Sequence, residues 1–392
     1  MISRAAEHGL DRGLVDEIVG RGRERLDRGE LTGEGVLEWA GRPVGESELG
    51  DVLGGPVGLT ERANTFDEGA VLREFAAASA QGSRAETVIG QAERFVERGD
   101  VLGTSGGLLT SAELVAREGA LIELAVGRRG QGVAVLHADA VARAIGRGDR
   151  ALNAGQATAV GAVAGSGNGV DVVEALAGTG KTYTAAVLRE LYEGAGFTVM
   201  GVAPSARAAR ELSEQAGVAS RTLDGQVLSI AAGNELPAGS VVIFDEAGMA
   251  STRLSERLFA HAAQVGAKIV VIGDPGQLGS VQAGGWLRAI GERVGSVRLT
   301  EVMRQRDPVE RLALAGLHDG DPGRWIDWAT RTGRVEVVSD GRGVLEQAVG
   351  EWAAGVAEYG VGESVLICRD NETRRALNTL AREQRRASGR AR

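Results

Sequence analysis

This sequence predicts an α/β protein built on a parallel sheet with helices on both faces, and three stretches predict it. Residues 170–182, Val-Asp-Val-Val-Glu-Ala-Leu-Ala-Gly-Thr-Gly-Lys-Thr, pass from a short valine strand through a glycine-rich turn into a helical apolar pattern at Ala185, Ala186, Leu188 and Leu191. Residues 241–249, Val-Val-Ile-Phe-Asp-Glu-Ala-Gly-Met, set an all-apolar run directly before two acids. Residues 269–278, Ile-Val-Val-Ile-Gly-Asp-Pro-Gly-Gln-Leu, form a third such run with a polar exit. Apolar strands alternating with helical patterns bury both faces of a parallel sheet.

Composition narrows the function classes. The chain has 392 residues and a net charge of −9, so it is no basic nucleic-acid coat, and any such site must be a local arginine-lined groove. The single cysteine, Cys368, excludes a disulfide within the chain and a multi-cysteine metal site. His8, His137, His261 and His318 show no metal-ligand spacing. No signal peptide and no membrane-spanning run is visible, which points to a soluble, cytoplasmic protein.

Residues 1–58 read as a charged, glycine-rich N-terminal and linker region, with an exposed helix over Arg12–Glu30 and irregular chain over Gly41–Gly58. Residues 59–147 read as a small, mainly helical domain. Thr65 with Glu68 has the spacing of a capping box, and Val71, Leu72, Phe75 and Ala76 keep one helical face apolar. Further helices are expected over Ala85–Glu97 and from about Ser111, with a short strand at 100–103 between them.

Residues 148–298 carry the chemistry. Gly178 and Gly180 let the backbone curl so that successive N–H groups face a phosphate, and the helix that follows adds its positive end. Lysine occurs only twice in the sequence, and one of the two, Lys181, falls where a β/γ-phosphate needs a point charge. The Thr182 hydroxyl suits Mg²⁺. The nucleotide-binding set is therefore Ala177, Gly178, Thr179, Gly180, Lys181, Thr182 and Tyr183, with Gln156 upstream, whose amide can both donate to and accept from adenine. Asp245 can hold Mg²⁺ through water, and Glu246 can orient and deprotonate an attacking water. Gln277 is placed to sense the γ-phosphate, with Asp274 steadying the same loop. Pro204, Ser205, Arg207 and Arg210 follow a strand over 197–203 and suit a phosphodiester backbone, although a solvated arginine face has the same composition. Ser280 opens a loop, 280–285, that is placed to pass over a strand of nucleic acid or to serve as an ordinary surface loop.

Together, Gln156, Ala-Leu-Ala-Gly-Thr-Gly-Lys-Thr, Ala-Pro-Ser-Ala-Arg-Ala-Ala, Asp-Glu-Ala-Gly-Met and Gly-Asp-Pro-Gly-Gln-Leu resemble the ordered motifs of RecD-like superfamily 1 DNA helicases, most of all the helicase segment of conjugative relaxases. The resemblance runs from about Leu59 to Arg382. It implies a P-loop NTPase with a RecA-like parallel sheet core, a helical N-terminal domain and a partial second RecA-like lobe over 299–392. It implies Mg-ATP hydrolysis coupled to translocation on single-stranded DNA, with conjugation or other DNA-processing proteins as candidate partners. It also implies that Leu299–Arg306 is the family's fourth motif, with Arg304 as the arginine finger and Arg306 as its near alternative. The stretch between the second and Asp-Glu strands, Leu223–Ala238, leaves room for only a short wedge.

Residues 335–338 and 364–368 read as strands around a helix with Leu345, Val349 and Trp352, and Asn371–Arg382 reads as a further helix. The family's last helicase motifs and the relaxase half find no counterpart, so a fragment of a longer frame or a degenerate relative is expected. The alternative to a motor is a nucleotide- and DNA-binding module without unwinding. A third reading is a P-loop ATPase acting on protein partners.

Overall fold

The computed structural model describes residues 37–79, 82–147, 152–277, 284–303, 305, 307–318 and 320–387. The chain divides into two compact units, residues 1–305 and 306–392.

The first unit opens with a hairpin, β1 (Leu37–Trp39) and β2 (Arg42–Val44), followed by α1 (Glu46–Gly54), α2 (Glu68–Ala78), α3 (Ala85–Val96) and a second hairpin, β3 (Val101–Gly103) and β4 (Leu109–Ser111). Leu37, Val44, Leu49 and Leu53 share one core with Phe66, Val71, Phe75, Val88 and Phe95. Residues 41–58 are therefore folded into this core rather than irregular. Leu49 and Leu53 alone make an apolar face one turn long, too short to stand out against the surrounding Gly and Pro. Helix α2 is capped by Asp67, whose carboxylate accepts from the Ala70 N–H at 2.6 Å. Thr65 is not the cap, because the next residue, Phe66, exchanges both backbone hydrogen bonds with Leu109 at 2.8 Å and holds the chain extended there. The helix expected over Arg12–Glu30 lies outside the described residues.

Then follow α4 (Ala112–Gly127), α5 (Ala138–Arg147), α6 (Ala154–Gly165), β5 (Val170–Ala175), α7 (Lys181–Gly194), β6 (Val199–Ala203), α8 (Ala206–Ala216), β7 (Ser220–Thr222), α9 (Leu223–Ala231), β8 (Val241–Phe244), a 3₁₀ turn (Ala247–Met249), α10 (Thr252–Gln264), β9 (Lys268–Gly273), α11 (Trp286–Val294) and β10 (Ser296–Leu299). The last six strands form one parallel sheet in the order β10-β5-β9-β8-β6-β7. Strand residues alternate between faces, and here both faces are buried. Val172, Val242, Phe244, Ile269 and Val271 pack against α4, α9, α10 and α11. Val173, Val241, Ile243, Val270 and Ile272 pack against α5, α6, α7 and α8. This is the helix-covered parallel sheet the strand–helix alternation predicts, and the RecA-like core the motif resemblance implies.

The second unit consists, among its described residues, of α12 (Pro308–His318), α13 (Pro322–Arg331), α14 (Gly341–Tyr359) and α15 (Asn371–Ala387). Ala313, Trp328 and Ala329 make a small core, with Trp325 and Val335 beside it, and the Arg334 guanidinium lies 4.5 Å from the Trp328 ring centre. The strands expected at 335–338 and 364–368 do not form, because neither segment joins a ladder. A strand exists through its neighbours. Without them Val337 and Ile367 stay 94% and 88% exposed.

Candidate functional site: the C-terminal edge of the sheet

Because the six strands are parallel, every strand exit faces the same edge. The register of β5 with β9 and β10, and of β8 with β9 and β6, brings the loops after Ala175, Ala203, Phe244, Gly273 and Leu299 together there. Ligands bind at this edge in open α/β sheets.

Leu176–Gly180 curls between β5 and α7. Gly178 and Gly180 take φ values of +80° and +84°, which only glycine adopts freely. A Cβ on Gly180 would also run into the Gln156 amide. Thr179 is buried, with its hydroxyl donating to the Leu176 carbonyl at 2.8 Å. Ala177 is exposed and Thr182 half-buried at the loop, and Tyr183 extends the first turn of α7. From β10, the Met303 N–H donates to the Gly178 carbonyl at 2.8 Å, so the chain leading to residue 304 is fastened to the phosphate loop. Arg304 itself lies outside the described residues, as do Arg306 and Ser280.

Gln156 is the N3 residue of a capping box. Its Oε1 accepts from the Asn153 N–H at 3.1 Å and its own N–H donates to Asn153 Oδ1 at 2.8 Å. Its Nε2 donates to the Thr179 carbonyl at 3.0 Å. One end of the amide thus caps α6 and the other braces the phosphate loop, which leaves one N–H and one lone pair for a ligand.

Two strands away, Asp245 and Glu246 leave β8. Lys181 reaches across the exit of β9 and its Nζ donates to Glu246 Oε1 at 2.8 Å. Asp245 is buried, and its Oδ1 accepts from the Glu246 N–H at 2.9 Å. Burial, followed by the neighbouring Glu246 carboxylate, pushes the Asp245 carboxyl up to about 6 against the opposing charge of Lys181. Glu246 has φ +51°, a left-handed conformation costly for a residue with a Cβ, and nothing in the local sequence signalled it. Just beyond β9, Asp274 is buried, with Oδ1 accepting from the Gly276 N–H at 2.9 Å and its carbonyl accepting from the Gln277 N–H at 3.3 Å. That fixes the turn that leads into Gln277, whose side chain is exposed. The exits of β8 and β9 are pressed together, since a Cβ on Gly248 would sit 2.9 Å from the Asp274 carbonyl oxygen.

Pro204, Ser205 and Arg207 leave β6, three strands from the phosphate loop, or about 14 Å at ~4.8 Å per strand. The Ser205 hydroxyl caps α8 by accepting from the Ala208 N–H at 3.1 Å. Arg207 is exposed and pairs with Glu211 at 2.8 Å. The sheet therefore gathers the nucleotide candidates and sets the nucleic-acid candidates apart on the same edge.

Two polar clusters escaped the sequence reading. At the opposite edge, Lys268 is fully buried and pairs with Asp171 at 2.5 Å. Its position at the head of an apolar strand was a usable signal. In addition, Arg253 on α10 binds Glu113 at 2.6 Å and the Thr60 carbonyl at 2.8 Å, tying α10 to α4 and to residue 60. Contacts across such separations leave no local trace.

Residues 151–340 match the family described as an AAA domain. The chain is 34% identical over 229 residues to a probable conjugal transfer protein TraA of Sinorhizobium fredii, covering 58% of this chain and 20% of that protein. It is 34% identical over 263 residues to the conjugal transfer protein TraA of Rhizobium radiobacter, covering 66% and 23%. It is 34% identical over 171 residues to the ATP-dependent RecD2 DNA helicase of Deinococcus radiodurans, covering 42% and 23%. The chain thus spans about a fifth of the length of these relatives. The RecD-like resemblance read from the motifs holds.

Proposed function

We infer, from an AAA domain at 151–340 whose relatives are conjugal transfer TraA proteins and a RecD2 helicase, that this chain is a helicase-like ATPase segment acting on single-stranded DNA. The observation that carries the reading is the Lys181–Glu246 ion pair, which joins the phosphate loop to the acid after β8 at a single point on the sheet edge. Each residue then has a task. The N–H groups of 177–182 cradle the phosphates of ATP, and Lys181 leaves Glu246 for the γ-phosphate. Glu246, once released, orients the attacking water and accepts its proton. Gln277 reports the state of the γ-phosphate to the loop beyond it, and Arg304 neutralises charge in the transition state. Pro204, Ser205 and Arg207 would lie along the DNA backbone.

The residues fit Mg²⁺. Asp245 is a buried acid at the exit of β8, and Thr182 offers a hydroxyl at the start of α7, next to the Lys181 that pairs with Glu246. When bound, Mg²⁺ supplies charge neutralisation at the β- and γ-phosphates.

A cytoplasmic setting and conjugation or DNA-processing partners follow from the same reading, and no described helix is long and apolar enough to cross a membrane. The second reading, nucleotide and DNA binding without unwinding, is favoured by the absence of a strand ladder among the described residues of 306–392. ATP turnover with and without single-stranded DNA, beside Lys181→Ala, separates the two. DNA-stimulated turnover that the variant lacks supports the motor, whereas nucleotide binding without turnover supports the binding module.

A further inference from the structure

Glu246 sits in a left-handed conformation, φ +51°, and such a residue keeps that conformation only where its surroundings over-determine it. Part of the hold lies in the turn itself. The Met249 N–H donates to the Glu246 carbonyl at 3.0 Å, and the Ala250 N–H donates to the Ala247 carbonyl at 3.1 Å. The rest comes from outside. Trp286 opens α11 and is fully buried, and its Nε1–H donates to the Ala250 carbonyl at 3.3 Å, which fixes the far end of the turn. The near end rests on Gly273, the last residue of β9. A Cβ on Gly273 would lie 3.1 Å from the Gly248 nitrogen and 3.3 Å from the Ala247 nitrogen, closer than a side chain ordinarily comes. It would also lie 2.8 Å from Cδ2 of Leu287, the buried residue after Trp286. The backbone of the acid turn is therefore seated on a bare strand exit, with no side chain between, and Leu287 closes the gap from the α11 side. Glycine alone permits so close an approach of two backbones. Interiors packed this tightly pass small displacements on rather than absorb them.

We propose that Gly273 and Leu287 are positioning residues for Glu246: the bare strand exit at Gly273, closed by the Leu287 methyl, sets where the acid turn sits and hence where Glu246 stands relative to Lys181. The inference rests on the reading of Lys181 as the phosphate-binding cation and of Glu246 as the base. A methyl on Gly273 would have to push the turn back by a few tenths of an ångström. A reaction that needs a water held between Glu246 and a phosphate responds to displacements on that scale.

The test uses the full chain with Gly273→Ala, alone and together with Leu287→Ala, which removes the closest of the three contacts and leaves the two to the turn. Lysine occurs only twice in the sequence, so labelling with ¹³Cε-lysine gives two NMR signals. Lys181→Ala tells them apart, and Glu246→Ala shows where the Lys181 signal lies once its partner is gone. Lys268 begins β9, the strand that Gly273 ends, and so reports on the strand itself. In both Gly273→Ala variants the Lys181 signal should move toward its Glu246→Ala position while the Lys268 signal stays in place. Steady-state kcat should fall at least ~10-fold without a rise in KM for ATP, because the phosphate loop is untouched. Adding Leu287→Ala should return part of the thermal stability lost in Gly273→Ala and none of the lost kcat, a split that a merely structural role would not produce. An unmoved Lys181 signal, an unchanged kcat or a loss confined to KM overturns the proposal. Movement of both lysine signals also overturns it, since the whole strand would then be disturbed. If Gly273→Ala does not fold, the double variant decides alone. A wild type that neither binds nor turns over ATP would sink the ATPase reading instead, and the lysine signals, which need no nucleotide, would then show whether Gly273 sets the Lys181–Glu246 pair at all.

Discussion

The two lysines of this chain stand at opposite edges of one sheet, and each is paired with an acid, yet the two pairs are built for different ends. At the N-terminal edge, Lys268 is fully buried, and its three donors are taken by Asp171, the Asn168 carbonyl at 2.8 Å and Ser166 Oγ at 3.1 Å. Asp171 is likewise satisfied by the Ser166 hydroxyl at 2.7 Å and Asn168 Nδ2 at 3.0 Å. At the C-terminal edge, the Lys181 side chain is 11% exposed and that of Glu246 28%, and Glu246 is the one acceptor found for the Lys181 ammonium among the described residues. Saturation makes the first pair permanent. An ammonium with unused donors facing a glycine-lined loop is ready to change partners.

The comparison breaks most visibly on substitution of the lysines. Lys181→Ala should cut kcat/KM for ATP by at least ~100-fold, the scale for removing a charge-stabilising donor. Stability should move by less than ~1 kcal/mol, since Glu246 can turn to water. Turnover retained by the variant would remove Lys181 from the site. Lys268→Met should do the reverse. It strands the Asp171 carboxylate in the interior, so unfolding in denaturant should show a loss of ~3–5 kcal/mol. Burial, opposed by Asp171, already lowers the Lys268 pKa from its ordinary value, so the ammonium is retained by its partners alone. A loss under ~1 kcal/mol would mean that water reaches Asp171 and that the two pairs are alike.

These two residues also show what could be read from the sequence. Lys181 was legible because the phosphate loop is a local device: glycines, lysine and a helix start, all within one turn of chain. The parallel sheet was legible for the same reason, as each of its apolar runs is local. Asp245 and Glu246 could be placed at a strand end, but not against Lys181, because the pairing depends on β9 inserting between β5 and β8. The left-handed Glu246, the capping role of Gln156 and the two hydrogen bonds between the Asn64 amide and the Gly284 backbone, formed across 220 positions of sequence, have no periodicity to betray them. Residues 335–338 and 364–368 show the converse. Strand composition is local, but the ladder is not, so the pattern overshot the structure.

Asp245 sharpens the contrast in energy. Its pKa of about 6 lies above the ordinary carboxylate value, with burial as the largest cause. Between about pH 4 and 6 the folded chain holds a proton the unfolded chain releases, so stability falls as pH rises through that window, and the cost is complete above it. Asp245→Asn keeps an acceptor for the Glu246 N–H and removes the charge. It should stabilise the nucleotide-free chain by roughly 2–3 kcal/mol at pH 7 and by little at pH 4, while Mg-dependent turnover is lost. A thermal midpoint that does not rise at pH 7 would mean that the Asp245 charge is already compensated.

The smallest expected effect probes whether the upper pair is a true competitor for phosphate. If Lys181 must leave Glu246 before ATP binds, the ion pair lowers apparent affinity by the fraction of molecules in which Lys181 is committed. A partly exposed pair is worth ~1 kcal/mol at most, which converts to about fivefold in Kd. Glu246→Gln should therefore bind a fluorescent ATP analogue a few-fold more tightly than the wild type even as hydrolysis disappears. Lys181→Ala in the same background should erase that gain, because the partner being freed is gone. An unchanged Kd would show that the pair costs binding nothing. A weaker Kd would show that Glu246 shapes the phosphate loop through its left-handed turn rather than competing for its lysine.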